Sequence, residues 1–461
     1  MDIVLKLVLL GATLILSHLI WNYCRSPLKS FPGPFSAKFS NLRRLQDVFK
    51  GRCDITHKEL HRRYGSAVCI DPNVLSLSDP ALINQVYSTR DPWVKSDMYN
   101  VNDLVVSGVR TKNLFSHQDE QWHAKVQELE PSVDITINFF LERLRERFVS
   151  TVTWDTMSQL TGNDRYGILE VSTKSLDYFA SFLQVCQIPM MDLLLDKNPI
   201  YHLGPPSFGW SVKFSAEQLI DRYIEAKSKM PGIVDDNVAQ MYLVLNILAG
   251  SDTTASAISA TVYYEELRGA NLTTPPQWKE VRSLPYLDAV MREAMRVHPG
   301  VGLLLERIVP KGGFTLPDGR FVPEGTMVGM NSWVINRNRT VFGPEPDSFK
   351  PERWLPAEGE DDEAYQTRFS KMKGTDLTFG AGPWACLGRY ISQLESYKFV
   401  ATLFTMFDFE HPDHEWEVTN SWFVRQKNIP VVIKERNTAL SLPPLHCSQK
   451  PQIGTSKLQH D

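Results

Sequence analysis

The apolar pattern is densest at the start of the chain. Ile3 to Tyr23 reads IVLKLVLLGATLILSHLIWNY, with Lys6 and His18 its only basic side chains and no acidic one. That run is long enough for one membrane-spanning helix. Lys6 lies near one end, where it can snorkel. Trp21 and Tyr23, followed by Arg25 and Lys29, suit the other interface, and the positive flank keeps the residues that follow in the cytosol. A cleaved signal peptide fits less well, because Trp21-Asn-Tyr-Cys24 offers no small-residue cleavage site. Phe31-Pro-Gly-Pro-Phe35 then makes a stiff hinge, since proline fixes φ.

Beyond the hinge the periodicities alternate. Residues 41–65, 81–88, 133–149, 286–297 and 387–407 carry helical patterns, and 168–230 holds amphipathic helical stretches broken by proline-rich turns. A long apolar helix is expected from about Val238 to Val262. Residues 67–80 predict a two-stranded hairpin, 301–309, 313–323 and 326–330 predict short strands, and 417–435 predicts paired strands. Residues 437–461 are polar and read as a disordered tail. The expected fold is therefore mainly α with a minor β region. It divides into an anchor (1–24), a single large body (25–436) and a tail (437–461).

Composition changes this picture little. The chain has 461 residues, 43% of them hydrophobic, and no internal repeat. Lys and Arg (49) nearly balance Asp and Glu (53), for a net charge of −4. Such a balance lacks the basic footprint of a nucleic-acid binder, and no nucleic-acid partner is expected. The six cysteines are scattered, with no CxxC pair, which argues against a disulfide framework. Cys53, His57 and His61 recur at a helical spacing of four; an ordinary polar helix face outweighs a metal site there.

Three constellations carry chemistry. In Phe379-Gly-Ala-Gly-Pro-Trp-Ala-Cys386-Leu-Gly388-Arg, a cysteine stands between a glycine-rich loop and a helix start. A helix N-terminus favours thiolate over thiol, and amide N–H groups aimed at the sulfur tune a metal–thiolate bond. In Ala249-Gly-Ser-Asp-Thr-Thr254, small residues open a notch beside the apolar helix. The Thr253 hydroxyl can there take the carbonyl of Ala249 and distort the helix, leaving Asp252 and Thr253 to relay protons to a small ligand. In Glu293-Ala-Met-Arg296 the charged ends share a helix face, and Arg353, from Pro351-Glu-Arg-Trp354, can complete a Glu–Arg–Arg network that locks the loop before Cys386.

The order AGSDTT, EAMR, PERW, FGAGPWACLGR, behind an N-terminal anchor, resembles a cytochrome P450 of the microsomal type, from the anchor to about Arg436. Residues 414–436 and the phrase NLFS…DEQWH (113–123) look most like fungal monooxygenases of the pisatin-demethylase-like group. The resemblance implies the P450 fold and haem b, with Cys386 the axial ligand of the iron. Phe379, Gly380, Trp384 and Gly388 would form the haem loop, and Trp122 and Arg307 would approach a propionate. It implies Asp252 and Thr253 as the oxygen-activating pair and Glu293, Arg296 and Arg353 as the buried lock. Val301, Leu304, Leu305, Ala249 and Trp422 would line an apolar pocket for a lipophilic substrate. The implied reaction is monooxygenation with O2. Its electrons would come from NADPH through NADPH–cytochrome P450 reductase, at the endoplasmic reticulum membrane.

The chain departs from the family pattern at three places. Trp384 stands where the family has Arg or His; an indole N–H donates one hydrogen bond but carries no charge. Residues expected after Trp122 are missing, and position 126 is valine. A further helical stretch is missing after Tyr264. These departures open a second reading, a non-catalytic or haem-deficient membrane-tethered remnant.

Overall fold

The computed structural model describes residues 2–106, 109–111, 253–254, 256–261, 273, 276–410, 417–420, 422–427 and 432–435. The expected helices at 133–149 and 168–230, most of the helix at 238–262, and the tail lie outside these residues.

Helix α1 (Asp2–Arg25) is the one helix among the described residues long and apolar enough to cross a membrane. Leu5, Leu7, Leu9, Leu10, Leu14, Ile15, Leu16 and Ile20 are exposed rather than packed on the body. Its apolar stretch, Val4–Arg25, rises about 33 Å at 1.5 Å per residue, which matches a bilayer core. The hinge that follows is stitched down. Phe31 and Leu28 are buried, and the amide of Cys69 donates to the carbonyl of Pro32 at 2.8 Å. Gly33 sits so close to the segment carrying Cys69 that an added Cβ would come within 2.2 Å of the Cys69 carbonyl oxygen.

Where one helix was expected over 41–65 there are two, α2 (Leu42–Phe49) and α3 (Cys53–Tyr64). Gly51, at φ 63°, breaks them, and its carbonyl accepts from the amide of Asn420. On α3, Cys53 and His57 are buried: burial pushes the thiol up to about 12 and the imidazole down to about 3. His61 bonds Ser76, and no cluster able to hold a metal occurs among the described residues. That face is packing.

Strands β1 (Ala67–Asp71) and β2 (Val74–Leu77) form the expected hairpin, and β2 pairs in parallel with a strand far along the chain. After α4 (Ile83–Val86) come β3 (Leu104–Val106) and β4 (Val109–Thr111), a small antiparallel pair. Residues 253–254 and 256–261 are helical, within the expected apolar helix. Helices α5 (Trp278–Arg282) and α6 (Pro285–Val297) follow. Strands β5 (Arg307–Ile308), β6 (Phe314–Thr315), β7 (Phe321–Val322) and β8 (Met327–Met330) come next. The main sheet has the order β1-β2-β8-β5, and β6 and β7 make a separate hairpin. Of the strand expected at 301–309 only β5 is regular; Val301 and Leu304 make isolated bridges to Phe423 and Asn331.

Helices α7 (Ser332–Ile335), α8 (Arg339–Phe342) and α9 (Asp362–Thr375) lead to α10 (Arg389–Met406). Strands β9 (Phe407–Glu410), β10 (Glu417–Asn420), β11 (Val424–Lys427) and β12 (Val432–Glu435) close the fold. β10 pairs with β11, and β12 with β9. One apolar core packs α10 and α6 against Ala257 and Ile258; a second lies beneath the main sheet.

Glu395 is anomalous within α10. It is buried, its Oε1 has no hydrogen-bond partner, and burial raises its carboxyl to about 8. The folded state therefore holds this proton more tightly than the unfolded chain, whose carboxyl titrates at about 4.3. Its contribution is full below the unfolded value and is lost as pH rises through the folded one. Glu395→Gln should accordingly melt higher than the parent at about pH 9, and the difference should shrink toward about pH 4. A melting difference independent of pH would refute this assignment.

Candidate active site

The Cys386 loop is shaped by two glycines. Gly380 has φ 71° and Gly382 φ 68°. A Cβ on Gly382 would meet the Tyr87 carbonyl oxygen at 2.2 Å, so only glycine lets the loop lie on Tyr87. The amide of Cys386 donates to the carbonyl of Phe379 at 2.8 Å, which closes the loop. Phe379 itself packs against the α6–α10 core. Gly388 caps α10, and the amide of Arg389 donates to the carbonyl of Cys386 at 3.4 Å. Burial raises the thiol above its usual range, and the Gly388 and Arg389 amides with the Arg389 charge oppose the rise. The side chain is nonetheless accessible to solvent.

The lock forms around Glu293. Arg296 donates from Nε and Nη2 to its two carboxylate oxygens, each at 2.8 Å, and Arg353 Nε donates to Oε1 at 2.8 Å. The amide of Lys350 (2.9 Å) and the indole of Trp354 (2.9 Å) complete the set. Burial alone would raise the Glu293 carboxyl, but Arg296 and Arg353 hold it below the usual range. Arg296 also bonds the carbonyls of Asn336 and Pro346, and Asn336 in turn bonds Asp376 and the amide of Leu377, just before Phe379. The network is thus tied to the Cys386 loop. Trp354 was legible only as the neighbour of Arg353 in the PERW motif.

Thr253 is helical and faces Gly300; a Cβ there would stand 3.2 Å from the Thr253 Cβ. Its neighbour Thr254 bonds Ser392 of α10 at 3.3 Å. Asp252, Ala249 and Trp122 lie outside the described residues. The apolar segment 301–305 is divided. Val301 packs with Leu303, Trp422 and Phe423, and Tyr99 meets Trp422 edge-on at 5.8 Å. Leu305 approaches Gly380. Leu304 instead turns into the core of Leu60, Val68, Ile70 and Val74, so here it acts in packing rather than in a lining.

Trp384 differs from expectation. Its indole N–H donates to the carbonyl of Trp93 at 3.3 Å and is not available to a ligand. Arg307 is buried, donates to the carbonyl of Glu306 at 2.8 Å and bonds Tyr99, while its Nε has no partner. Its guanidinium lies 5.0 Å above the Tyr87 ring. Tyr87 also ties Leu305 to Met330 through its hydroxyl. Lys95, which no sequence signal marked, lies 4.4 Å over the Trp384 ring, and burial, with Arg307 nearby, lowers its ammonium to about 7. An open depression of about 800 Å³ between α8 and α9 shares only the lock residue Arg353 with this site. Arg353, Arg368 and Lys371 there are already bonded to Glu293, Glu360 and the Thr340 carbonyl.

A family model described as Cytochrome P450 matches residues 209–433. The chain is 34% identical to cytochrome P450 monooxygenase cfoH of Aspergillus candidus, over 92% of each chain. It is 33% identical to cytochrome P450 monooxygenase cicH of Emericella nidulans, over 91% of this chain and 96% of that one. It is 35% identical to pkfB of the same organism, over 92% and 94%. The chain belongs to the cytochrome P450 family and, by that membership, is a haem-dependent monooxygenase. The first alignment spans 498 positions, more than the 461 residues of this chain, so that relative has segments this chain lacks.

Proposed function

We propose that the protein oxidises a lipophilic small molecule of fungal secondary metabolism, using O2, with a haem whose iron the Cys386 sulfur would hold. The observation that carries this is Cys386 itself: a reachable sulfur on a closed glycine loop at the start of α10, where the Gly388 and Arg389 amides and the Arg389 charge favour thiolate against the effect of burial. These residues fit a haem. The amides temper thiolate charge, Gly380 and Gly382 keep the loop low, and the buried Arg307 Nε awaits an anion. Phe379 and Gly388 hold the loop, and Trp384 packs beside it. When bound, the haem supplies the iron at which O2 is reduced and split, helped by electron density from the thiolate.

The chain's own residues do the rest in this reading. Thr253 and Asp252 hold and pass protons, and Trp122 adds a propionate contact. Glu293, Arg296 and Arg353 keep the loop in place. Val301, Leu305, Trp422 and Ala249 shape an apolar pocket that excludes water. Electrons come from NADPH through NADPH–cytochrome P450 reductase. Helix α1 anchors the protein in the endoplasmic reticulum membrane, with the body (25–436) in the cytosol. The pisatin-demethylase-like group is the proposed subtype.

The first test is the ferrous–CO difference spectrum of the protein in membranes, followed by NADPH consumption with added reductase. A strongly red-shifted Soret band with reductase-dependent turnover supports the reading. Thr253→Ala should keep that band but lower product per NADPH about tenfold, within the range of a lost proton relay. Full coupling in that variant would remove Thr253 from the mechanism. A second reading, a haem-deficient remnant, is favoured by the segments the relative has and this chain lacks. No band in well-folded protein would establish it.

A further inference from the structure

Lys95 and Arg307 stand directly opposite each other in an antiparallel bridge, and the amide of Ile308 donates to the carbonyl of Val94 at 2.8 Å. Like charges opposed across strands repel, and both side chains are buried, where a cation is costly. The neighbouring carboxylate, Glu306, is engaged by Arg44 and by Ser96, whose hydroxyl donates at 2.7 Å. Arg307 keeps a buried Nε with no partner. The pair also adjoins the loop that carries Cys386, with Lys95 over the Trp384 ring at 4.4 Å. An anion between the two cations would relieve both the repulsion and the burial cost.

We propose that Lys95 and Arg307 clamp one propionate of the haem, and that Lys95 supplies the positive charge that Trp384 lacks. This rests on the haem-binding reading given under Proposed function. Geometry explains the exchange. The indole at 384 is bonded to Trp93 and presents its face to Lys95, which holds the ammonium beside the loop. The charge has thus moved from the cysteine loop to the segment before β3. Lys95 is a positioning residue for the cofactor and takes no part in oxygen chemistry.

The test uses the full chain, loaded with haem and purified in detergent. It reads haem per chain and the rate of haem transfer to an excess of haem-free globin. Lys95→Met keeps the apolar stem over Trp384 but removes the charge. It should lose haem about tenfold faster, the scale of one charge-assisted hydrogen bond, with the red-shifted ferrous–CO band unchanged while haem remains. Lys95→Arg should stay near the parent. Lys95→Met combined with Trp384→Arg should regain most of the retention, because the charge returns to the loop from the other side. Parent-like haem loss in Lys95→Met overturns the proposal. So does a loss that neither Lys95→Arg nor the added Trp384→Arg avoids, which would mark Lys95 as packing only. A parent protein that binds no haem overturns the functional reading and this proposal together, whereas a loaded parent with an indifferent Lys95→Met overturns this proposal alone.

Discussion

Replacing Cys386 by alanine is expected to abolish the red-shifted ferrous–CO band while leaving membrane association unchanged. The two outcomes separate because they rest on different parts of the chain. The spectrum depends on the Cys386 sulfur, held on the loop that the Cys386 amide closes against Phe379. Association depends on α1, whose apolar side chains project outward, away from the body. Alanine fits the loop, since the Cys386 amide bond to Phe379 involves only backbone. Loss of the band would therefore report ligation rather than collapse. The band should be missing altogether or replaced by one typical of a neutral ligand. A retained thiolate band would mean that another cysteine holds the iron and that the assignment is wrong.

Glu293→Gln should cost about 3–5 kcal/mol of stability, the usual penalty for leaving one side of a buried ion pair uncompensated. Arg296 is fully buried, and both oxygens of Glu293 are taken up by it, Arg353, Trp354 and the Lys350 amide. Against a typical total of about 5–15 kcal/mol, such a loss leaves little folded protein at growth temperature. The readout is thermal or denaturant unfolding, with haem content as a second measure. Arg296→Met in the Glu293→Gln background should restore part of the loss, because the stranded charge is then gone. Parent-like unfolding of Glu293→Gln would show that the network is incidental.

The sequence made the local motifs legible and left their assembly hidden. Glu293 and Arg296 share a helix face, so three-residue spacing was enough to pair them. Arg353 was found because its motif stands close before the cysteine loop. The break at Gly51 was missed, because the helical pattern runs through it and the cause is a carbonyl bond to Asn420, far along the chain. Trp384 is expected in the haem loop with one N–H to donate, and that N–H meets a Trp93 carbonyl that no local pattern reveals. Lys95 and Tyr87 belong to the same class. Their roles arise from packing between β5, β8 and the cysteine loop. Leu304 and Leu305 are adjacent and alike in sequence, but alternation across the bridge to Asn331 sends one into the core and the other toward Gly380.

The parallel pairing of Val74–Leu77 with Met327–Met330 sets a timetable for the newborn protein. These partners are roughly 250 residues apart, and a ribosome adding about 5–20 residues each second needs on the order of 12–50 s to reach the second after the first. For that interval the β1–β2 hairpin waits with an open edge, a template for wrong pairing. The Pro32 carbonyl, bonded to Cys69, already guards the other edge of that hairpin. Synthesis order and sheet order thus leave the β2 edge without its parallel partner until Met327–Met330 has been made.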